Sequence, residues 1–177
     1  LGSTEGGMGQ SIMTKDTPAS ETAKFTLLPV AKVLVPDGSR EVAPGSGEVG
    51  MVIQGGMVPL GYYKDPEKSA KTFKEVDGRR YAFIGDMATV EADGTINLLG
   101  RGSNCINTGG EKVFPEEVEE ALKLHSDVAD ALVFGLEDER FGNRVAGVVS
   151  LEKGRITEAG DILEATRKLL ASYKLPN

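Results

Sequence analysis

A glycine-rich loop close to the start of the chain carries a hydroxyl beside a carboxylate. Residues 2–10 read GSTEGGMGQ. The backbone N–H groups of such a loop can approach an anion, the Thr4 hydroxyl can donate to a phosphate, and the Glu5 carboxylate can hold a Mg²⁺ ion through an oxygen. On its local sequence alone, the simpler interpretation is a flexible loop that binds nothing.

A second stretch, residues 100–120, reads GRGSNCINTGGEKVFPEEVEE and marks a change in the character of the chain. A Gly-Arg pair stands at a predicted strand end, the pair Gly109-Gly110 allows backbone conformations closed to other residues, and Pro115 begins an acidic helix. We therefore expect two domains that meet here, a β-rich one before the stretch and an α/β one after it.

The first half is predicted to consist of short strands joined by turns. Asp65-Pro66 predicts the capped start of a short helix, and the strand before Gly85-Asp86 is expected to end there. Strands are expected at residues 24–36 with a break at Pro29, 48–54, 80–84, 87–91 and 95–99.

The second half alternates helix, strand, strand and helix, at residues 116–124, 128–134, 144–151 and from Thr157 or Asp161 onward. The near-continuous apolar run in 144–151 predicts a strand that is buried on both faces. The last helix is expected to bury Ile162, Leu163, Leu169 and Leu170. This order predicts a small open α/β sandwich, so the chain as a whole is α+β.

Composition excludes several classes of protein. The net charge of −7, without any Lys/Arg-rich run, argues against a nucleic-acid partner. One cysteine, Cys105, and one histidine, His125, exclude a Cys/His metal cluster and an internal disulfide, which favours a reducing, cytoplasmic location. No apolar run approaches the ~20 residues of a membrane span, and no signal peptide is visible. A homo-oligomer is compatible with the sequence.

Five short motifs follow one another along the chain. They are Gly2-Ser3-Thr4-Glu5 (G-x-T-E), Gly47-Glu48 through Gly61-Tyr62, Pro66 and Thr72 (G-E…G-Y-x-x-x-P…T), Gly85-Asp86 (T-G-D), Gly100-Arg101 through Glu119 (G-R into G-G-E-x-x-x-P-x-E-V-E), and Tyr173-Lys174 with Pro176 (Y-K-x-P). In this order they resemble the motifs of the adenylate-forming (AMP-binding) superfamily, which includes acyl-CoA synthetases, adenylation domains of nonribosomal peptide synthetases and firefly luciferase. The resemblance covers nearly the whole chain and corresponds to the C-terminal part of that family.

The resemblance implies a division into domains. Residues 1–100 would be the β-rich end of the large ATP- and acyl-binding domain, part of its distorted β-barrel. Residues 101–105 would be a hinge, and residues 106–177 a truncated C-terminal lid domain that rotates between two half-reactions. We expect the chain to be part of a longer protein.

The same resemblance implies roles for four polar residues. Thr4 would contact the nucleotide phosphate, and Glu5 would hold the Mg²⁺ that offsets charge on the transferring phosphoryl groups. Asp86 would accept hydrogen bonds from the ribose hydroxyls of ATP or AMP, and Arg101 would be a second ribose contact. Taken singly, Asp86 could be a turn residue and Arg101 a surface cation.

The hinge region departs from the family at two positions. Asn104 stands where Asp or Lys is common, although asparagine tolerates unusual backbone angles, and Asn107 stands where luciferase-like members have a lysine. Gly109 and Gly110 would border the pantetheine tunnel of coenzyme A. Lys112 would contact the phosphates of coenzyme A, or it could be a solvent-facing lysine.

The implied function is that of an AMP-forming acyl-CoA synthetase. It would activate a carboxylic acid with MgATP and transfer the acyl group to coenzyme A. The sequence of residues 106–122 resembles that of ligases for fatty or steroid-side-chain acids, which favours such an acid as the substrate. Two alternatives stay open: an adenylation domain that loads a carrier protein, and a non-catalytic interaction module. Cys105, with no base near it in sequence, is interpreted as a structural thiol.

The 177 residues expressed by themselves are expected to catalyse no ATP–pyrophosphate exchange. The family's phosphate-binding loop precedes G-x-T-E and its adenylation lysine follows Y-K-x-P, so neither lies within this sequence. The assay is isotope exchange between pyrophosphate and ATP with a panel of fatty acids. Clear turnover would contradict the interpretation as part of a longer enzyme.

Overall fold

The computed structural model describes residues 1–12 and 23–177. Its strands are β1 Gly2–Ser3, β2 Gly6–Gly7, β3 Gly9–Gln10, β4 Lys24–Leu27, β5 Ala31–Leu34, β6 Gly50–Gln54, β7 Phe73–Val76, β8 Arg79–Val90, β9 Ile96–Arg101, β10 Ile106–Thr108, β11 Glu111–Val113, β12 Val128–Asp138 and β13 Gly142–Leu151. Its helices are α1 Pro66–Thr72, α2 Pro115–Lys123 and α3 Ala159–Thr166, with 3₁₀ turns at Gly102–Asn104 and Ser172–Lys174.

The described chain divides into two compact units, one ending at Leu99 and the other comprising Gly100–Asn177. The first is called the β unit below and the second the α/β unit. The predicted hinge at residues 101–105 concerns a motion between them and stays a prediction.

The β unit is built on an antiparallel sheet with the order β3-β4-β9-β8-β6-β5, to which β7 adds by pairing with β8. The sheet curls into a half-barrel, which confirms the predicted α+β fold with a barrel-like first part. Its core is a cluster of buried apolar side chains that includes Met8, Val33, Val52, Ala88 and Ile96.

Strand β8 is longer than the sequence indicated. It runs without a break from Arg79 to Val90, so the expected strand end at Gly85-Asp86 is wrong. Met51 pairs with Met87 and Ile53 with Phe83, which leaves an irregularity in β8 that Gly85 accommodates with a φ of 91°. Pairing with β6 continues on both sides of this irregularity, and Asp86 therefore lies within the sheet.

Helix α1 begins as its sequence predicts. The Asp65 carboxylate accepts a hydrogen bond from the Lys68 N–H at 3.0 Å, and Pro66 occupies the first helical position. A proline costs nothing there, because that N–H has no partner within the helix in any case. The helix ends at Thr72, and Phe73 begins β7.

In the α/β unit, the hairpin β10–β11 turns through two residues only. Thr108 pairs with Glu111, and the intervening Gly109 and Gly110 have φ angles of 57° and 90°. A two-residue turn with positive φ at both positions matches the twist of the flanking strands and is strained for residues that carry a side chain. The glycine pair is therefore required by the turn.

Helices α2 and α3 pack on one face of the β12–β13 ribbon. The shared core includes Val113, Val118, Leu122, Val133, Val145 and Ile162. The opposite face exposes the paired side chains Leu132 and Val148, each 61% exposed, so the prediction that residues 144–151 are buried on both faces is wrong. Leu169, which is 53% exposed, was also wrongly assigned to the core, because α3 ends at Thr166.

A half-buried ion pair between Lys174 and Glu117 attaches the segment around Lys174 to helix α2. The Lys174 ammonium lies 2.6 and 2.8 Å from the two oxygens of Glu117 on α2, and both side chains are 19% exposed. This pair joins two of the motifs noted above, Y-K-x-P and P-x-E-V-E. Their spacing in the sequence gave no sign of the contact.

Gly50→Ala is expected to destabilise the β unit by about 1–3 kcal/mol, the usual cost of overpacking a core. A methyl group at residue 50 would lie 2.6 Å from the Leu34 carbonyl oxygen and within 2.7 Å of the side chains of Val33 and Val42. Urea unfolding followed by circular dichroism measures the change. Gly160→Ala is the matched control, because nothing lies within 4 Å of its added methyl group; equal destabilisation by both variants would contradict the packing argument.

Candidate functional site

The glycine-rich loop is an ordered hairpin in the structure. Gly2 pairs with Gly7 and Ser3 with Gly6, which leaves Thr4 and Glu5 as the two turn residues. The Glu5 N–H donates to the Ser3 hydroxyl at 3.1 Å. The structure thus brings together the two residues to which a phosphate and a cation were assigned, at the tip of one turn.

The carboxylate of Glu5 receives two side-chain hydrogen bonds. The Tyr62 hydroxyl donates to Oε1, and the Thr4 hydroxyl donates to Oε2 at 3.0 Å. The Tyr62 hydrogen bond is the main reason that the pKa of Glu5 is lowered from 4.5 to about 2, and partial burial opposes it. Glu5 is therefore ionised at neutral pH, as a cation ligand has to be.

The hairpin rests directly on the side chain of Gln54. A Cβ atom on Gly6, whose φ is 143°, would lie 2.1 Å from Gln54 Nε2, so only glycine fits. Gln54 is 5% exposed and donates to the Gly55 carbonyl at 3.2 Å, while its Oε1 atom is buried without a hydrogen-bond partner among the described residues. This amide sets how closely the hairpin approaches the sheet.

The donor set at the hairpin fits Mg²⁺ bound together with a substrate. Among the described residues, no three His, Cys, Asp or Glu side chains cluster in a way that could enclose a metal. Mg²⁺ in nucleotide enzymes keeps several waters and takes one or two carboxylates plus substrate phosphates. The single ionised carboxylate of Glu5, next to a hydroxyl that can meet a phosphate, matches that pattern.

Asp86 and Arg101 belong to two different strands, β8 and β9. Asp86 lies within β8 and is 9% exposed, whereas Arg101 is the exposed last residue of β9, directly before the 3₁₀ turn Gly102–Asn104. Asp86 is therefore held by strand pairing on both sides, a more rigid setting than the turn that its sequence suggested. Their roles toward a ribose stay predictions.

The 3₁₀ turn is linked to helix α2 by its last residue. The Asn104 amide donates to Glu116 Oε1 at 3.4 Å, a long hydrogen bond. Glu116 belongs to the first turn of α2. Asn104, the predicted hinge residue, is thus connected to the helix that the Pro115 signal predicted.

The glycine turn of β10–β11 lies against the turn between β12 and β13. The Gly109 N–H donates to the Phe141 carbonyl at 2.9 Å, and the Asn143 amide donates to the Asn107 carbonyl at 3.3 Å. Lys112 is exposed on β11, where it pairs with Asn107. Gly109, Gly110 and Lys112 therefore lie on one hairpin of the α/β unit, and their roles toward coenzyme A stay predictions.

Neither Cys105 nor His125 has the surroundings of a catalytic group. Burial raises the pKa of the Cys105 thiol above its usual value, which disfavours the thiolate that a nucleophile needs. His125 Nδ1 accepts from the Asp127 N–H at 3.2 Å at the end of α2, a structural contact. Among the sequence-based assignments, the important omission is Tyr62. It stood in the quoted motif, but its spacing carried no sign that it contacts Glu5.

No helix within the described residues is long and apolar enough to cross a membrane.

Residues 117–177 match the family described as the AMP-binding enzyme C-terminal domain. The whole chain is similar to curated ligases. It is 48% identical to a 3-oxocholest-4-en-26-oate–CoA ligase of Rhodococcus rhodochrous, and that match covers 99% of this chain and 32% of the relative.

A medium/long-chain-fatty-acid–CoA/3-oxocholest-4-en-26-oate–CoA ligase of Mycolicibacterium smegmatis is 49% identical, with coverage of 99% and 32%. The chain spans about a third of the length of these curated relatives.

Solved structures show the same similarity. Apo MatB from Rhodopseudomonas palustris superposes with a TM-score of 0.76 at 29% identity, covering 100% of this chain and 35% of MatB. The o-succinylbenzoate CoA synthetase of Bacillus subtilis, solved with its acyl-adenylate intermediate, gives a TM-score of 0.70 at 27% identity, with coverage of 85% and 30%. The order of the motifs, the half-barrel followed by an α/β unit, and these matches agree: the chain belongs to the adenylate-forming, AMP-binding superfamily and is related to its fatty-acid and steroid-acid CoA ligases.

Proposed function

We propose that this chain is part of an AMP-forming acyl-CoA ligase that activates a fatty or steroid-side-chain carboxylic acid with ATP and passes the acyl group to coenzyme A. The observation that supports this most strongly is the similarity along 99% of the chain to ligases named for these acids. We place the enzyme in the cytoplasm, where ATP and coenzyme A are present.

The reaction would proceed in two steps at one site. The substrate carboxylate attacks the α-phosphorus of ATP, which forms the acyl-adenylate and releases pyrophosphate. The thiol of coenzyme A then attacks the acyl carbonyl and expels AMP. The chemistry of both steps is carried by the substrates, so the protein contributes orientation and charge stabilisation.

Each candidate residue has a task in this scheme. The Thr4 hydroxyl donates to a nucleotide phosphate, and Glu5 holds Mg²⁺, which when bound would neutralise negative charge on the phosphates. Asp86 accepts hydrogen bonds from the ribose hydroxyls, and Arg101 makes a second contact to the ribose. The burial of Asp86 within β8 supports this assignment, because a fixed acceptor orients the nucleotide.

The α/β unit would serve the second step as the lid. Residues 101–105 would be its hinge, with Asn104 as the residue that changes conformation. Gly109 and Gly110, which lack side chains, would let pantetheine pass close to the backbone, and Lys112 would meet a phosphate of coenzyme A.

The acceptor is tested with the longer enzyme that carries this chain. Loading with ATP and a fatty or cholestenoic acid is followed by addition of either coenzyme A or a phosphopantetheinyl carrier protein, with thioester formation read by mass spectrometry. We expect the coenzyme A thioester. Transfer to the carrier protein alone would favour an adenylation domain, and the absence of any adenylate would favour an interaction module.

Asp86→Asn in the longer enzyme is expected to lower kcat/KM for ATP by roughly 10- to 150-fold. The substitution keeps the shape of the side chain but removes the charge from two hydrogen bonds, and a hydrogen bond to a charged group is worth about 1.5–3 kcal/mol. Pyrophosphate exchange at varied ATP concentration measures the loss. Asp77→Asn, at an exposed turn, is the control; an unchanged ATP dependence in Asp86→Asn would remove Asp86 from the nucleotide site.

Lys112→Ala is expected to raise KM for coenzyme A about fivefold while leaving pyrophosphate exchange unchanged, because an exposed charge contact contributes about 1 kcal/mol. Steady-state kinetics of the thioester-forming step give the value. Lys153→Ala, an exposed lysine of the same unit, is the matched control. Equal coenzyme A dependence in both variants would identify Lys112 as a solvated surface residue.

A further inference from the structure

Tyr62 connects two parts of the β unit that lie 57 residues apart, through the hydrogen bond from its hydroxyl to Glu5 Oε1. We propose that Tyr62 is a positioning residue, which holds the Glu5 carboxylate in the orientation needed to bind the divalent cation. This inference rests on the proposed function of Glu5. None of the motif assignments gave Tyr62 such a role.

The tyrosine is itself held at its backbone by helix α1 and the residues that cap it. Its N–H donates to the Ser69 hydroxyl at 2.7 Å, and its carbonyl accepts from the Asp65 N–H at 3.3 Å. The Ser69 hydroxyl donates in turn to the Asp65 carbonyl at 2.6 Å. A capped helix therefore fixes the backbone of Tyr62.

The ring of Tyr62 also has two defined contacts and is partly buried. Its centroid lies 5.3 Å from that of Phe73, with the two planes inclined at 43°. The Lys68 ammonium stands 4.3 Å from the Tyr62 centroid, within the range of a cation–π contact. With the backbone and the ring both held, the position of the hydroxyl is defined before any ligand binds.

The two hydrogen bonds to Glu5 are not equivalent once a nucleotide binds. The Thr4 hydroxyl has a single proton, so it cannot donate to Glu5 Oε2 and to a phosphate at the same time. If Thr4 turns to the phosphate, Oε2 becomes available to a cation. The Tyr62 hydroxyl then keeps Oε1 in place, so the carboxylate does not lose its orientation when Thr4 leaves.

Such support matters because a glutamate on a turn has several rotatable bonds. Ordering a free carboxylate at the moment of binding costs conformational entropy, and a ligand that is already oriented avoids that cost. Partners that orient a metal ligand typically change metal affinity by roughly 10- to 100-fold when they are removed. The same range is expected here.

The neighbouring residue provides a matched control. Tyr63 is 89% exposed, and its ring contacts the Lys64 ammonium at 5.3 Å. Tyr63→Phe removes the same hydroxyl from an adjacent tyrosine that does not contact Glu5. Any effect specific to Tyr62→Phe therefore reports on the hydrogen bond and not on the loss of a phenol from this loop.

The experiment uses the longer enzyme, with Mn²⁺ as the spectroscopic probe for the divalent cation. Mn²⁺ binding is titrated by electron paramagnetic resonance in the presence of ATP, and ATP binding without metal is measured separately by calorimetry. Tyr62→Phe is expected to raise the Kd for Mn²⁺ roughly 10- to 100-fold with metal-free ATP binding unchanged. Tyr63→Phe is expected to behave as wild type, and Glu5→Gln is expected to lose at least as much affinity as Tyr62→Phe.

The outcomes separate this inference from the proposed function. Wild-type Mn²⁺ affinity in Tyr62→Phe, together with a loss in Glu5→Gln, would overturn the role of Tyr62 and leave the metal assignment intact. Wild-type affinity in Glu5→Gln would overturn the metal assignment itself. If Tyr62→Phe does not fold, Ser69→Ala decides: it removes the acceptor for the Tyr62 N–H, so weakened Mn²⁺ binding supports the proposal and wild-type binding contradicts it.

Discussion

Antiparallel pairing of β6 with β8 is the constraint on which the candidate site in the β unit depends. Asp86 lies within β8 where pairing continues on both sides of the irregularity at Gly85. Gln54 is the last residue of β6, and its side-chain amide lies against Gly6 of the hairpin whose turn residues are Thr4 and Glu5. A disturbance of these two strands would therefore affect both the proposed ribose contact and the support of the turn that is proposed to bind the metal.

The α/β unit obtains its order in a different way. Its two-stranded ribbon is covered by helices on one face only, and individual polar contacts add to the apolar core on that face. The half-buried pair of Lys174 and Glu117 and the bond from the Gly109 N–H to the Phe141 carbonyl are two of these. A domain held in this manner can keep its internal shape while it moves as a body, which suits the proposed lid.

The success of prediction from sequence follows the range of the interactions involved. The Asp65-Pro66 helix start was predicted correctly, because it depends on backbone chemistry within four residues. The positive φ angles of Gly109 and Gly110 agree with the backbone freedom expected of that pair, but the β10–β11 hairpin around them was not predicted. The continuity of β8 was missed, since it depends on pairing with β6, whose residues precede their partners by about thirty to forty positions. For the same reason the contact of Tyr62 with Glu5 was invisible, although both residues stood in the quoted motifs. Strand 144–151 was misjudged because an apolar run shows where side chains could be buried, not whether the fold supplies a layer to cover them.

The chemistry of Cys105 has a practical consequence for following motion in this protein. It is the only cysteine of the sequence, it directly follows the 3₁₀ turn that ends at Asn104, and its thiol is partly buried with a raised pKa. A thiol in that state reacts slowly with alkylating reagents, because reaction requires the thiolate. The rate of alkylation would therefore measure how often a change in this turn exposes the Cys105 thiol. Within these 177 residues a label at Cys105 needs no substitution, and it would report the conformational kinetics of the proposed hinge.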